Sequence, residues 1–287
     1  MGFKELFQLL KTKEYYKNLL VFLPLLFVEE FFNLTSFLNV TKGFIALCLI
    51  SSSYYIINDI LDKNKDKHHP EKSKRPIASG KINILSGILI SLLLLIISVL
   101  VAYSLDIIFT IILVSLHIST LLYSSIFKKI FLLDILFISF NFLLRPLSGV
   151  FIIFKHEYVR ISPWLILVSF FLAFYLSSSK KRANRIFLKD IKYNPSLKNY
   201  TKKSTFIISQ ISTSLIILTY SIFTFFSDHP NLFVTIPLVM YTIFYYNIKV
   251  ESKHKMGRDL THAFRNKVLL SSSALWIMLT FAIIYFF

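Results

Sequence analysis

The chain of 287 residues is 55% hydrophobic and 16% aromatic, and only 16% of its residues are charged. An ordinary soluble domain carries about 25% charged residues, so this composition excludes that class and indicates a membrane protein. A formal net charge of +17 would point to nucleic acid in a soluble protein. Here the basic residues lie mostly between apolar segments, where membrane topology explains them, and no nucleic-acid partner is expected.

Nine apolar stretches follow one another along the chain, each near the ~20 residues that cross a bilayer as a helix. They are predicted at residues 17–33, 36–57, 82–104, 106–126, 130–153, 161–179, 204–226, 231–248 and 268–287. Glu29 and Glu30 interrupt the first stretch, which therefore has the weakest pattern. We predict an all-α, polytopic membrane protein of about nine transmembrane helices in one bundle, with residues 1–287 forming a single integral membrane domain.

The positions of the basic residues predict the orientation in the membrane. All but four of the 32 Lys and Arg lie in the N-terminal segment or in the loops after spans two, four, six and eight. Cytoplasmic loops carry an excess of Lys and Arg, so we predict that the N-terminus and these loops are cytoplasmic and that the C-terminus is outside. Richness in Ile, Lys, Phe and Asn is typical of an AT-rich bacterial genome, which favours the inner (plasma) membrane of a bacterium.

A cluster of carboxylates follows the second span directly. Asp59, Asp62 and Asp66 are spaced i, i+3 and i+7, so in a helix they share one face. Carboxylates beside lipid are costly unless they bind a cation. Oxygen ligands suit Mg²⁺, which usually binds through one or two carboxylates together with substrate phosphates. We predict that these three residues are catalytic Mg²⁺ ligands, with Asn58 as an auxiliary ligand.

The rest of this loop is predicted to present an arginine to the same place. Pro70 and Pro76 prevent helical continuation and hold the segment extended, while Gly80 suits a turn before the next span. Arg75 is therefore expected near the carboxylates, where a guanidinium can bind a phosphate through two parallel hydrogen bonds. We predict Arg75 as a substrate-binding residue.

Two further cations are predicted to bind phosphate. Arg145 lies within the fifth span, where a charge is costly and a partner or a substrate anion is expected. Lys17 lies at the cytoplasmic start of the first span, from which it could reach a lipid phosphate. A buried ion pair for Arg145 and a snorkelling role for Lys17 remain alternatives. His117 is predicted to be a packed polar residue rather than a base.

A second polar loop, after the sixth span, is strongly basic. It reads Lys180-Lys181-Arg182-Ala183-Asn184-Arg185, and its nearest carboxylate is Asp190. Lys181 and Arg185 are four residues apart and would share a helix face. Such a cluster suits a substrate with several phosphates, although anchoring at the membrane surface would also explain it.

Together these segments resemble the UbiA-type polyprenyl transferase superfamily, whose first motif is similar to Asn58–Asp66 followed by Arg75–Gly80. The fuller similarity is to one branch, the polyprenyl-phosphate phosphoribosyltransferases, such as decaprenyl-phosphate phosphoribosyltransferase. It is carried by Tyr16–Asn18, His69–Pro70, Tyr123–Ser124, Asp134–Leu136, Leu144–Gly149, Ser162–Trp164 and Lys180–Ala183. The resemblance implies a helical membrane enzyme that binds Mg²⁺-complexed phosphorylated substrates at the cytoplasmic side, and it adds Tyr123 to the substrate-binding candidates.

The second loop decides between the branches. Relatives that use prenyl diphosphates carry a second aspartate-rich motif there, whereas this chain has Lys181, Arg182 and Arg185, which are expected to bind donor phosphates. The resemblance therefore implies a Mg²⁺-dependent transferase that moves the 5-phosphoribosyl group of phosphoribosyl pyrophosphate to a polyprenyl phosphate. It would release diphosphate and make a lipid-linked pentose precursor for cell-envelope glycans. One departure from the branch is Asn266, where a carboxylate is expected.

Two other functions are compatible with a polytopic chain of this kind. An aromatic prenyltransferase of quinone or haem biosynthesis is the nearer one, and the missing second acidic motif argues against it. A transporter or lipid scramblase is the other, and the clustering of polar residues on one side of the membrane argues against it. The sequence leaves open whether the protein forms a homo-oligomer.

Overall fold

The computed structural model describes residues 3–68, 72–154, 162–187, 197–252, 255–257 and 260–287, and the regular elements in these ranges are helices. The α-helices are α1 (Phe3–Leu10), α2 (Leu23–Phe27), α3 (Leu34–Leu61), α4 (Lys63–Asp66), α5 (Ile84–Leu105), α6 (Ile107–Ser125), α7 (Leu133–Phe154), α8 (Pro163–Phe187), α9 (Lys202–Phe225), α10 (Ile236–Glu251) and α11 (Lys267–Phe286). A long 3₁₀ helix, Thr12–Phe22, lies between α1 and α2 and is called the 3₁₀ segment below.

Eight helices of the described chain are long and apolar enough to cross a membrane. They are α3 and α5 to α11, the tenth being extended at its start by a 3₁₀ turn from Pro230. They correspond to the second to ninth predicted spans. The prediction of an all-α, polytopic membrane protein is confirmed.

The first predicted span, residues 17–33, takes a different form from the other eight. Lys11 has φ 51° at the end of α1, Pro24 lies in the first turn of α2, and Glu29 has φ 60° just after α2. Lys11 precedes the stretch and Pro24 and Glu29 lie within it, so the 3₁₀ segment and α2 replace one long α-helix. The first predicted span is therefore not among the eight helices of the described chain that are long and apolar enough to cross a membrane.

Every third residue of the 3₁₀ segment turns toward the core, as expected for three residues per turn. The Tyr15 hydroxyl lies 2.7 Å from Ser52 Oγ, and Asn18 Nδ2 donates to Ser51 Oγ at 3.2 Å. Val21, three residues further on, is completely buried. These contacts attach the segment to α3.

The contacts divide the chain into two compact units. The first unit comprises Met1–Lys128 and Leu144–Val159, and the second comprises Lys129–Leu143 and Arg160–Phe287. The single integral membrane domain over residues 1–287 stays a prediction.

In the first unit, α3 packs against α5, α6 and the 3₁₀ segment. Small polar residues mediate the approach of α5 to α3: Ser53 Oγ lies 3.0 Å from Ser91 Oγ, and Ser98 Oγ donates to the carbonyl of Ala46 at 2.8 Å. Small side chains let membrane helices come close, and their hydroxyls bond across the interface. The remaining face of α5 exposes leucines such as Leu92, which suits contact with lipid.

In the second unit, α8 packs along α9, and α10 contacts both helices. Ser178 Oγ lies 2.7 Å from Ser212 Oγ, and the Tyr175 hydroxyl donates to Asn247 Oδ1 at 2.9 Å. A Cβ on Gly257 would lie 2.7 Å from Cβ of Ala183, so the loop after α10 also approaches α8 closely. These contacts fix the basic end of α8.

Candidate active site

The carboxylate cluster lies where α3 ends. α3 stops at Leu61, and Asp62 leaves helical geometry with φ −92° and ψ 3° before the short helix α4 begins. The sequence predicted that the three aspartates share one continuous helix face, and this prediction is wrong. Asp59 and Asp66 are brought together, and Asp62 has a separate partner.

Asp59 and Asp66 share one guanidinium nitrogen. Arg75 Nη1 donates to Asp59 Oδ1 at 2.9 Å and to Asp66 Oδ2 at 2.7 Å. The two carboxylate side chains are only 2% and 5% exposed, whereas that of Arg75 is 27% exposed. Arg75 thus lies near the carboxylates, as predicted. Its guanidinium was expected to bind a phosphate there, and in the structure it binds the two carboxylates themselves.

Two lysines add positive charge to the same pair. Lys11 Nζ lies 2.6 Å from Asp59 Oδ1, and Lys72 Nζ lies 4.0 Å from Asp66 Oδ1. Burial lowers the pKa of the Lys11 ammonium, and the Asp59 carboxylate only partly reverses this effect. In the sequence these lysines were topology signals only, and their contact with the cluster was not predicted.

Asp62 pairs with a lysine of the short 3₁₀ turn that follows α6, Phe127–Lys129. Lys128 Nζ lies 2.9 and 3.0 Å from the two Asp62 oxygens. Asn58 is half-buried in the last turn of α3, on the same helix as Asp59. Lys128, 66 residues away in sequence, carried no local signal of this role.

The loop of Arg75 is anchored by its own backbone and by apolar contacts. Pro76 and Ile77 are buried, and Ile77 packs with Leu9 and Ile56. The Pro76 carbonyl accepts a hydrogen bond from the Ile82 amide at 3.1 Å. The loop is therefore held in place beside α3. The prediction that it is extended is wrong, because Lys72–Lys74 form a 3₁₀ turn and the Ser79 amide donates to the Arg75 carbonyl at 2.9 Å.

The donor set fits a divalent metal ion held by two carboxylates. Asp59 and Asp66 each direct one oxygen to the same cationic nitrogen, so the pair already converges on one positive charge. Mg²⁺ is usually bound through one or two carboxylates plus substrate phosphates, which matches two aspartates better than three. Within the described residues, no group of three His, Cys, Asp or Glu side chains converges on a metal position.

A polar network lies deeper in the first unit. Arg145 is 4% exposed; its Nε donates to Asn18 Oδ1 at 3.0 Å and its Nη2 to the Tyr54 hydroxyl at 3.2 Å. Tyr54 precedes Asp59 by five residues on α3, which places the network about 7 Å further along the helix axis. The expected partner of Arg145 thus includes an amide and a phenol. Asn18 was named only within the similar segment Tyr16–Asn18, and Tyr54 carried no signal in the sequence.

Three other residues of the first unit lie where the sequence placed them, at spans and span ends. Lys17 is ion-paired with Glu14 one turn earlier, and its ammonium lies 5.8 Å from the Tyr16 ring. Tyr123 is partly buried near the end of α6. His117 is buried with its ring centroid 6.2 Å from that of Tyr54, as expected of a packed polar residue. Substrate contacts of Lys17 and Tyr123 stay predictions.

Lys181 lies in a buried cluster of the second unit. Its ammonium is ion-paired with Asp134 and lies 5.0 Å from the centroid of the Tyr200 ring. The Tyr200 hydroxyl donates to Asp134 Oδ1 at 2.5 Å and accepts from the Leu132 amide at 3.0 Å. Asp134 is completely buried, so the ammonium compensates its charge. Tyr200 was not predicted, because it lies 66 residues from Asp134 in the sequence.

Arg182 connects three helices of the second unit. Its Nε and Nη2 donate to the two oxygens of Glu251 at 2.8 and 3.0 Å, and its Nη1 donates to the Lys202 carbonyl at 2.8 Å. Each guanidinium nitrogen thus already has a protein acceptor. The predicted donor contact of Arg182 stays a prediction, and the structure gives the side chain a structural role.

Replacing Arg182 or Glu251 by glutamine is expected to lower the free energy of unfolding by about 0.2–1 kcal/mol, a small value because Glu251 is 42% exposed. The double variant should be less destabilised than the sum of the two single variants, since both remove the same pair. Thermal unfolding in detergent measures this, with Lys203→Gln as an exposed control. Strict additivity would contradict the pairing.

Arg185 differs from Arg182. Its Nε is buried, and no hydrogen-bond acceptor for it lies among the residues that the structure describes. A buried donor without a partner is costly, and an anion would remove that cost. Three residues named from the sequence, Asp190, His69 and Pro70, lie outside the described residues.

A sequence model of the UbiA prenyltransferase family matches residues 22–268, most of the chain. The chain belongs to the UbiA prenyltransferase family. It is therefore a multi-pass membrane protein of that family, as the sequence motifs indicated.

Three curated relatives of this UbiA-family chain share between 26% and 35% of their residues with it over the matched parts. An uncharacterized protein y4nM of Sinorhizobium fredii is 35% identical over 58% of this chain and 31% of that protein. Decaprenyl-phosphate phosphoribosyltransferase of Mycolicibacterium smegmatis is 27% identical over 69% of this chain and 62% of the relative, and that of Corynebacterium glutamicum is 26% identical over 75% and 66%. The match spans less than two thirds of each of these three proteins.

Solved structures share the fold along nearly the whole chain. A UbiA homolog from Archaeoglobus fulgidus, bound to DMAPP and Mg²⁺, has a TM-score of 0.76 at 17% identity and covers 98% of this chain and 99% of its own. The same homolog was also solved bound to Cd²⁺, with a TM-score of 0.72. At this identity the likeness establishes the UbiA fold alone.

Proposed function

We propose that this UbiA-family protein transfers the 5-phosphoribosyl group of phosphoribosyl pyrophosphate to a polyprenyl phosphate and releases diphosphate. The observation that carries the proposal is the basic end of α8, where the buried Nε of Arg185 has no acceptor among the described residues. Phosphoribosyl pyrophosphate has a 5-phosphate in addition to its diphosphate, so it offers an anion that an isoprenyl diphosphate lacks. Relatives that carry the name decaprenyl-phosphate phosphoribosyltransferase support the same branch.

The proposed reaction exchanges one bond at the anomeric carbon of ribose. The bond from this carbon to the diphosphate oxygen breaks, and the electron pair leaves with the diphosphate. An oxygen of the lipid phosphate forms the new bond to the same carbon. A phosphate nucleophile is anionic near neutral pH, so the reaction needs no strong general base, which agrees with a packed role for His117.

We assign a divalent ion, Mg²⁺ in the cell, to Asp59 and Asp66, with Asp62 and Asn58 as auxiliary ligands. When bound, such an ion neutralises charge on a leaving diphosphate and orients it. The carboxylates hold the ion through their fixed positions at the end of α3 and in α4. Arg75 is assigned to the diphosphate oxygens, because its guanidinium is the more exposed partner in the cluster.

The remaining assignments concern phosphate. We propose that Arg185, with Lys181 and Arg182, binds donor phosphate, and that Arg185 contributes most because Lys181 and Arg182 are already ion-paired. Lys17, Tyr123 and Arg145 are proposed contacts for the lipid phosphate or the donor. Arg145 supports this role through its fixed position between Asn18 and Tyr54.

The cellular setting follows from the positive-inside rule. We propose that the protein lies in the inner membrane of a bacterium, with the site on the cytoplasmic side and the C-terminus outside. The product would be a lipid-linked pentose used for cell-envelope glycans.

The test is an assay of purified protein with radiolabelled phosphoribosyl pyrophosphate and short polyprenyl phosphates, read as label transferred to lipid. Transfer that EDTA abolishes and Mg²⁺ restores is expected. If the protein ignores phosphoribosyl pyrophosphate and instead joins an isoprenyl diphosphate to an aromatic acceptor, the branch assignment is wrong and only family membership remains.

Arg185→Gln is expected to raise the KM for phosphoribosyl pyrophosphate roughly 10–150-fold, since a hydrogen bond to a charged group contributes about 1.5–3 kcal/mol. The KM for the lipid acceptor should change much less. Lys203→Gln removes the same charge from an exposed site of the second unit and should leave both KM values near those of the unmodified protein. Equal rises in both KM values for Arg185→Gln would refute a specific donor contact.

A further inference from the structure

The two most buried carboxylates of the candidate site already face two cations each. Asp59 contacts Lys11 and Arg75 through its Oδ1. Asp66 contacts Arg75 through Oδ2 and approaches Lys72 through Oδ1. Any metal ion at these oxygens must therefore take the place of protein cations or stand close to them, and like charges at such distances repel strongly.

Arg75 is the cation best placed to leave. Its nitrogen Nη1 is the atom that the two carboxylates share, so its departure opens both of them at once. The backbone of its loop is anchored by buried Pro76 and Ile77, while its own side chain is 27% exposed. The guanidinium can thus change partner by side-chain rotation without movement of the loop.

A guanidinium leaves a carboxylate readily only for another anion. Phosphate is the best match, because its oxygens accept two parallel hydrogen bonds from the planar group. A bare divalent ion brings no such acceptor and would leave Arg75 beside a second positive charge. A diphosphate-bound ion brings acceptors and lowers the net charge that enters.

We propose that Arg75 closes the metal site by bridging Asp59 and Asp66, and that it yields these carboxylates to a divalent ion only when a diphosphate arrives to receive its guanidinium. Arg75 is thus a positioning residue that couples metal binding to donor binding. The idea rests on the proposed function for the identity of the donor, but it requires only a diphosphate group. The divalent ion replaces the Arg75 guanidinium at Asp59 and Asp66, so neither carboxylate is left unpaired.

The test uses Mn²⁺ and inorganic pyrophosphate as probes, with the full chain in lipid nanodiscs. Equilibrium dialysis with the same pyrophosphate concentration in both chambers reports the excess Mn²⁺ in the protein chamber, so complexation by free pyrophosphate cancels. The unmodified protein should bind Mn²⁺ weakly alone and about ten times more tightly or better with pyrophosphate, the size of effect that removal of one adjacent charge produces.

Arg75→Gln should reverse this pattern. Without pyrophosphate it should bind Mn²⁺ about 10- to 100-fold more tightly than the unmodified protein, because the bridging charge is gone. Pyrophosphate should then add little, and transfer activity should fall, since the guanidinium no longer holds the leaving group. Tighter metal binding with lower activity is a combination that loss of folding cannot produce.

Lys74→Gln is the matched control, because it removes the same charge from the exposed neighbouring position. It should leave Mn²⁺ binding and the effect of pyrophosphate unchanged. Asp59→Asn should weaken Mn²⁺ binding in both conditions, which identifies the site that is measured. If Lys74→Gln tightened binding as much as Arg75→Gln, the effect would be one of general loop charge and the proposal would fail.

Two other results separate this inference from the proposed function. If the unmodified protein binds Mn²⁺ equally well with and without pyrophosphate, Arg75 does not close the site, even if phosphoribosyl pyrophosphate is a substrate. If the Mn²⁺ results are as expected but phosphoribosyl pyrophosphate is not turned over, the coupling holds for another diphosphate donor and only the donor assignment fails.

Discussion

Asp59→Asn is expected to lower transfer activity by at least about a hundredfold, since even changes outside the ligand shell of a metal cost up to roughly that much. The substitution keeps the size of the side chain but removes the charge that the divalent ion needs. Lys11 and Arg75 would lose a carboxylate partner, yet their side chains are 17% and 27% exposed and can be rehydrated. The fold should therefore survive, and kcat/KM together with thermal unfolding measures both effects.

Asp106→Asn provides the control for loss of a buried carboxylate. Asp106 caps α6 by accepting hydrogen bonds from the amides of Ile108 and Phe109 at 2.7 and 2.9 Å. Asparagine is an equally good N-cap, so activity should stay within about twofold of that of the unmodified protein. Full activity of Asp59→Asn, or full activity of the unmodified protein in the presence of a chelator, would refute the metal assignment. An equal loss in Asp106→Asn would show that the assay reports stability.

Gly149→Ala is expected to destabilise the first unit and to inactivate the protein. A Cβ at this position would lie 2.2 Å from the backbone carbonyl oxygen of Val21, which no rotamer change can relieve. Overpacking of this kind costs about 1–3 kcal/mol, or more when backbone must move. Because Gly149 follows Arg145 by one helical turn, the same shift would pull the 3₁₀ segment, and with it Asn18, away from the Arg145 guanidinium.

Gly87→Ala is the matched comparison, because it places the same methyl group on another helical glycine of the same unit. Its Cβ would lie 3.3 Å from Cδ1 of Ile60, the flexible end of a side chain. Alanine also favours a helix by about 1 kcal/mol over glycine, so this variant should unfold at the same or a higher temperature. Similar melting temperatures for the two variants would show that the Val21 contact is not tight.

The fold class could be predicted from the sequence because membrane spans leave a strong local signal. Apolar stretches of the right length recur, and eight of the nine form single long helices among the described residues. The first stretch contains Lys17, Pro24 and Glu29, and the 3₁₀ segment and α2 form there in place of one long helix. Composition does not show whether a stretch forms an α-helix or a 3₁₀ helix, because these differ in their hydrogen-bond pattern and in their rise per residue.

The candidate site was predictable only where its partners are close in sequence. Arg75 lies 9 residues from Asp66 and 16 from Asp59, and two prolines made its return to the cluster foreseeable. The Arg145–Asn18 contact spans 127 residues and Arg182–Glu251 spans 69, so they depend on which helices pack together. No periodicity in a single sequence reports such pairings.

The three-residue period of the 3₁₀ segment makes its function sensitive to the phase of insertions and deletions. Tyr15, Asn18 and Val21 lie above one another on a helix that turns about 120° per residue. Deleting one residue between Tyr15 and Asn18 would turn the amide away from Arg145, while deleting three would restore the angle and shorten the segment by about 6 Å. Homologous chains that keep the Arg145 contact should therefore vary the length of this stretch in steps of three or not at all.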